Sequence, residues 1–318
     1  MAETGKSAGK GPARADGKNG RERGTPQGAT QGPPVPDPTV PQGRVLCVGR
    51  SDCLGRAGIQ GDVRAIAHLG GQPATVVTMV SAEDGFNAFD WVEMPPTIIV
   101  RQIERVLRDL GVDCIKIGQL HSQEIIDVVT NTIERLVKDV PMVVAPVMVS
   151  IDGSPYHSVR AAAALKRRLL VHASVLAVSA REAEVLTGMQ VRDPDAMLNA
   201  AAMLLTLGSR AVFVHGGHFG SETATDVLVT EDEVKTYDDG VPLADSVYGA
   251  KTAVSGAIAA GIAQGQSIVG AVERARAYLA DSLAMLRVRN QAIQRRGHVG
   301  ALALDGEEPV RLPHAALE

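Results

Sequence analysis

Several stretches of this chain combine glycines and polar side chains in a pattern suited to phosphate chemistry. The first reads Gly49-Arg-Ser-Asp-Cys-Leu-Gly-Arg-Ala-Gly-Ile-Gln-Gly-Asp62. Gly55 and Gly58 let the backbone approach a ligand closely, and a helix starting there offers free N–H groups. The spacing is not GxGxxG, so a dinucleotide site does not follow. On chemistry alone, a phosphate cradle and a plain helix start both stay open. Asp62 falls about one turn into that helix, where it either faces a ligand or complements the helix dipole.

A second stretch, Val214-His-Gly-Gly-His218, follows an apolar run. Its glycines free the backbone for contact. His215 and His218 are spaced like a metal pair, but the sequence places no third ligand beside them. A third, Asp245-Ser-Val-Tyr-Gly-Ala-Lys-Thr252, feeds a long apolar helix. A small-residue loop at a helix start gathers amides and the positive dipole end around one point. Such a point stabilises charge developing on a transferred phosphoryl group. It is not a Walker A loop, which needs Gly directly before Lys. Lys251 either holds a phosphate or is a solvated turn lysine.

The elements that must position these loops alternate along the chain. Short β-branched runs at Val45–Val48, Ala74–Val80, Cys114–Ile117, Met142–Val147, Val175–Val178 and Ala211–Val214 read as buried strands. Helical patterns separate them, at Gly58–Leu69, Thr97–Leu110, Gln123–Val137, Ala161–Leu170, Arg181–Leu186 and Asp195–Leu207. Asp226–Val229 and Glu233–Tyr237 form an expected hairpin, and Ala-rich helices over Thr252–Gln264 and Ile268–Val288 close the fold. Strands separated by helices imply right-handed βαβ units and a mostly parallel sheet. Ligands of such sheets sit outside the strands' carboxyl ends, where the glycine loops fall.

Composition narrows the class. The 318 residues are 45% hydrophobic and only 3% aromatic, an aliphatic core of the kind a doubly covered sheet uses. A net charge of -4 gives no electrostatic reason to expect nucleic acid. Cys47, Cys53 and Cys114 show neither paired spacing nor a CxxC, which argues against disulfides and zinc. No stretch has the apolar length of a membrane span, and no signal-peptide core is present, so a cytoplasmic protein is expected. Residues 1–43 are rich in Gly, Pro and scattered charge and read as a disordered tail, with a folded domain over 44–290 and a C-terminal tail over 291–318.

Taken in order, these segments resemble the hydroxymethylpyrimidine kinase/phosphomethylpyrimidine kinase family of the ribokinase-like superfamily. Ser51-Asp52 followed by Gly55-Arg-Ala-Gly-Ile-Gln-Gly-Asp62 is close to the family's GSDxSGGAGIQAD. Lys116-Ile-Gly-Gln-Leu120 is similar to KIGML, Pro146-Val-Met-Val149 to DPVMV, and Gly216-Gly-His218 to KGGH. Glu182 falls in the NxxE region, and Gly249 precedes the last Ala-rich helices. The resemblance implies a three-layer α/β/α sandwich with a mostly parallel central sheet. It implies phosphorylation of 4-amino-5-hydroxymethyl-2-methylpyrimidine, and then of its monophosphate, by ATP with Mg²⁺. By resemblance, Asp62, Gly49, Ala57, Glu83 and Gln119 line the pyrimidine pocket. Ser179, His215 and Gly217 border the nucleotide, Glu182 organises the metal, and Gly249, Ala250, Lys251 and Thr252 form the catalytic anion hole. A homodimer is implied as well.

The departures fall on ligand-facing positions. The family's GTGC, with its presumed catalytic cysteine, is here Gly249-Ala-Lys-Thr252, and a threonine hydroxyl is a poor general base at neutral pH. Ala145 replaces the Asp of DPVM, Ser179 the Asn of NxxE and His215 the Lys of KGGH, while Glu83 and Gln119 replace a Gln and a Met. An active pyrimidine kinase is the leading reading. A binding protein that kept the scaffold without the chemistry, and a pyridoxal-type kinase, are the alternatives.

Overall fold

A computed structural model describes residues 43–83, 88–149, 155–217, 224–238 and 248–295. The expected terminal tails lie outside the described residues, apart from Gly43 and residues 291–295. The strands are β1 (Arg44–Asp52), β2 (Gln72–Glu83), β3 (Ala88–Glu93), β4 (Cys114–Ile117), β5 (Met142–Val144), β6 (Val175–Ser179), β7 (Ala211–Gly217), β8 (Thr225–Thr230) and β9 (Val234–Tyr237). They form one nine-stranded sheet in the order β3-β2-β1-β4-β5-β6-β7-β8-β9. Pairing from β2 across to β7 is parallel, and the edge pairings β2–β3, β7–β8 and β8–β9 are antiparallel.

Helices α1 (Gly58–His68), α7 (Ala250–Ala263) and α8 (Ile268–Arg295) cover one face. On the other lie α2 (Pro96–Asp109), α3 (Gln123–Leu136), α4 (Val159–Ala164), α5 (Ala180–Thr187) and α6 (Pro194–Leu205). The period of two in β1 divides the core. Val45 and Cys47 pack under α7, and Leu46 and Val48 join the opposite cluster with Ile103, Ile126 and Val129. The fold is therefore the expected three-layer α/β/α sandwich. Helix α7 is buried on nearly every side, and its small residues allow close approach. A Cβ on Gly261 would stand 2.8 Å from the Ala271 Cβ of α8. This is why the chain needs alanine and glycine there.

Two differences from the sequence reading have local causes. The edge strand β3 carries Asp90 and Glu93 among its apolar residues, so it lacks the unbroken apolar run of a central strand. The helix expected over Ala161–Leu170 starts at Val159 and stays α only to Ala164, then continues through a π turn (Leu165–Leu169) and a 3₁₀ turn (Leu170–His172).

Candidate active site

The switch point of the sheet lies between β1 and β4, where the chain reverses its direction of strand addition. At that point Gly49 of β1 stands against the turn after β4: a Cβ there would lie 3.5 Å from Gly118 Cα and 3.6 Å from Gln119 N. Gln119 is buried, and its Oε1 has no hydrogen-bond partner among the described residues. A buried amide oxygen without a donor is costly, and a ligand N–H is the natural group to satisfy it.

The loop after β1 is organised by Asp52. Its Oδ1 accepts from Leu54 N (2.9 Å), and its Oδ2 accepts from Arg56 N (2.8 Å) and Ala57 N (2.6 Å). Burial alone would push this carboxyl up, but the backbone donors hold it below the ordinary carboxylate range. Ala57 is thus the fixed N-cap of α1. Gly58 is obligatory: its φ is +56°, and a Cβ would fall 2.4 Å from Arg50 O.

The loop before α7 packs directly on this turn. Gly249 caps α7 with φ +88°, and a Cβ on it would lie 2.4 Å from Arg56 O. A Cβ on Gly61 would lie 2.8 Å from Thr252 Cγ2. The glycine turns therefore bring the starts of α1 and α7 side by side, with Gly249, Ala250, Lys251 and Thr252 between the switch point and β6. Thr252 is buried in this contact.

Asp62 is held inside the fold. It is 1% exposed and forms an ion pair with Lys116 of β4, whose Nζ lies 2.8 Å from Oδ1 and 2.9 Å from Oδ2. Burial pushes the Asp62 carboxyl up, and the Lys116 ammonium opposes that rise. The two motif segments that carry the strongest resemblance are tied together by this pair.

On the far side of α7, Ser179 and His215 sit opposite each other at the ends of β6 and β7. Ser179 caps α5 in a reciprocal box: its Oγ accepts from Glu182 N, and Glu182 Oε2 accepts from Ser179 N at 3.0 Å. Gly216 sits at a register shift within β7 at φ +74°, and its N–H donates to Asp226 Oδ1 at 2.9 Å. Asp226 is held by Arg276 of α8 at 2.8 Å. Gly217 ends β7, paired with Thr225. Glu83 ends β2, paired with Ala88; its side chain, like His218, lies outside the described residues.

Glu182, the expected metal organiser, does not fit a metal in this arrangement. It is fully buried, and its Oε1 accepts from Met148 N at 2.8 Å and from the Lys251 ammonium. Its other oxygen is taken by the capping box. Among the described residues no group of His, Cys, Asp or Glu side chains is arranged to hold a metal ion.

Sequence reasoning passes over Arg50 and His157. Arg50 stands at the first glycine of the GSD motif, a departure visible in the sequence. It is buried, and its guanidinium donates to Ser81 Oγ (3.4 Å) and Tyr248 Oη (3.2 Å), tying β1 to β2 and to the α7 loop. His157 is buried with Nε2 2.7 Å from Leu120 O, and burial lowers its pKa, so Nδ1 carries a lone pair. No spacing signal in the sequence marks His157.

A mostly parallel sheet between two helical layers, with a glycine-capped helix start packed beside its switch point, is the architecture of the ribokinase-like small-molecule kinases. The sequence profile of phosphomethylpyrimidine kinase matches residues 52–298, and the chain belongs to that family. The hydroxymethylpyrimidine/phosphomethylpyrimidine kinase of Mycobacterium bovis is 34% identical over 79% of this chain and 91% of its own. The Streptomyces coelicolor enzyme of the same name is 32% identical over 78% of this chain and 91% of its own. Among solved structures, phosphomethylpyrimidine kinase from Clostridium difficile superposes with a TM-score of 0.67 at 29% identity, covering 76% of this chain and 99% of its own. An ADP complex of Bacillus subtilis pyridoxal kinase gives 0.66 at 27% identity, covering 73% and 88%.

Proposed function

We propose that this protein transfers the γ-phosphoryl group of ATP to the hydroxymethyl group of 4-amino-5-hydroxymethyl-2-methylpyrimidine and then phosphorylates the monophosphate. The observation that carries this reading is the buried Gln119 Oε1 at the switch point, unpartnered among the described residues, an acceptor suited to the 4-amino group of the ring. Gly49 keeps the floor beside it open, and Ala57 fixes the wall. Glu83, at the end of β2, enters the same reading as a pocket residue, and Asp62 supports that wall through Lys116 from beneath.

The amides of Gly249, Ala250, Lys251 and Thr252 face the developing charge on the transferred group, where fixed donors are worth most. Thr252 is no general base, so the reaction relies on positioning and electrostatics, which dominate phosphoryl transfer. Ser179, His215 and Gly217 border the nucleotide. Solved relatives named as ADP and AMP-PCP complexes support ATP as donor. Mg²⁺ enters this reading on the phosphates of ATP rather than as an ion seated on Glu182.

We place the enzyme in the cytoplasm, where ATP is abundant; no described helix is long and apolar enough to cross a membrane. A homodimer belongs to the same proposal, supported by Val80, Trp91 and Val92 exposed around the β3 edge. The test is ADP release by the purified protein with the pyrimidine, with pyridoxal alongside. Faster turnover on the pyrimidine supports the reading. Faster turnover on pyridoxal would move the chain to the pyridoxal-type kinases, and binding without turnover would leave a scaffold without chemistry.

A further inference from the structure

The disagreement at Glu182 has its own explanation. The carboxylate is 0% exposed, and its oxygens take the Met148 and Ser179 N–H groups as well as the Lys251 ammonium. Lys251 is the second residue of α7, and its side chain keeps 19% of its surface exposed. The ammonium thus bridges from the first turn of α7 to the α5 turn, held against a buried anion while part of the side chain stays open to solvent. A divalent ion on Glu182 would need to expel a tethered cation whose chain is fixed in a helix.

We propose that Lys251 is the resident cation of the phosphate site: it takes on Glu182 the place the family resemblance gives to magnesium, so nucleotide polyphosphate binds without a divalent ion. The inference rests on the nucleotide site proposed above. A point charge on a flexible stem can follow a phosphate as well as a carboxylate, and Glu182 keeps it extended across the site when no phosphate is present.

The test is calorimetric titration of AMP-PCP into the purified protein, once in excess EDTA and once in excess Mg²⁺. The wild type should give Kd values within about threefold of each other, a free-energy difference below 1 kcal/mol. Lys251→Met should weaken binding in EDTA by about tenfold to a hundredfold, the usual worth of a charged hydrogen bond, and Mg²⁺ should restore much of the loss through the vacated carboxylate. Because Lys251→Met leaves a buried charge unpaired, Lys251→Met/Glu182→Gln serves as the neutral companion. It should bind as weakly in EDTA and gain far less from Mg²⁺. Wild-type binding that collapses tenfold or more in EDTA while remaining tight in Mg²⁺ would overturn the inference and leave the nucleotide site standing. A neutral double variant that binds in EDTA as well as wild type would also overturn it. No binding under either condition would overturn both the inference and the nucleotide site.

Discussion

Replacing Lys116 with methionine removes the cation beneath the site while keeping most of its volume. Asp62, 1% exposed, would then be a buried carboxylate without a counter-ion. Breaking such a pair from one side costs about 3–5 kcal/mol. The variant can escape by protonating Asp62, which sets a ceiling on that cost. Keeping a carboxyl of ordinary value 3.8 protonated at pH 7 costs about 4 kcal/mol, at about 1.36 kcal/mol per pH unit, and about 2 kcal/mol at pH 5. The sign follows from the direction of the shift. A carboxyl whose folded pKa is raised binds its proton more tightly when folded, so stability falls as pH rises from the ordinary value toward the folded one. Urea unfolding of Lys116→Met followed by circular dichroism should show a deficit against wild type of about 3 kcal/mol at pH 7, below that ceiling because wild-type Asp62 is itself raised, and a smaller deficit at pH 5. Adding Asp62→Asn should recover most of the loss at pH 7, because no charge remains to be buried. A single variant within about 1 kcal/mol of wild type at pH 7, or a deficit that grows at pH 5, would refute the reasoning.

Gln119→Leu should raise KM for the pyrimidine about tenfold while leaving stability unchanged or raised by about 1 kcal/mol, since an unsatisfied buried amide is removed; steady-state kinetics and urea titration check both halves. Asp52→Ala should loosen the loop before α1 at a cost of about 2–3 kcal/mol. Because the Asp52 carboxyl lies below its ordinary value of 3.8, its contribution is present above that pH and lost as pH falls through the folded value, so the difference from wild type should shrink on acidification below it. Gly249→Ala, forced to place a Cβ 2.4 Å from Arg56 O, should lower kcat by about 10²–10³ as the anion-hole amides shift. Native alkylation at pH 8 with mass detection should modify Cys53 alone, since Cys47 and Cys114 are buried and burial pushes their thiols up, that of Cys114 to about 12.

The fold was legible where one physical signal dominated. The buried parallel strands are short aliphatic runs, and Cys114–Ile117 and the β8–β9 hairpin fall where periodicity and turn residues place them. Strand β3 was not legible, because Asp90 and Glu93 interrupt its apolar residues and leave no unbroken run. In the site, the glycines could be read from sequence because only Gly tolerates the positive φ at 58 and 249. The partners of the charged residues could not. Asp62 and Lys116 are 54 positions apart, and Glu182 and Lys251 are 69 apart. Nothing in local spacing announces that α1 meets β4 there, or that the first turn of α7 reaches α5. Arg50 was visible as a departure from a glycine, but its reach to Ser81 and Tyr248 depends on the sheet order.

The most direct test of the central claim is to incubate the purified protein with ATP, Mg²⁺ and 4-amino-5-hydroxymethyl-2-methylpyrimidine and identify the products by liquid chromatography and mass spectrometry. The account predicts a pyrimidine heavier by one phosphoryl group, and a second addition when the monophosphate is supplied. Unchanged pyrimidine beside intact ATP, from protein shown to be folded, would contradict it.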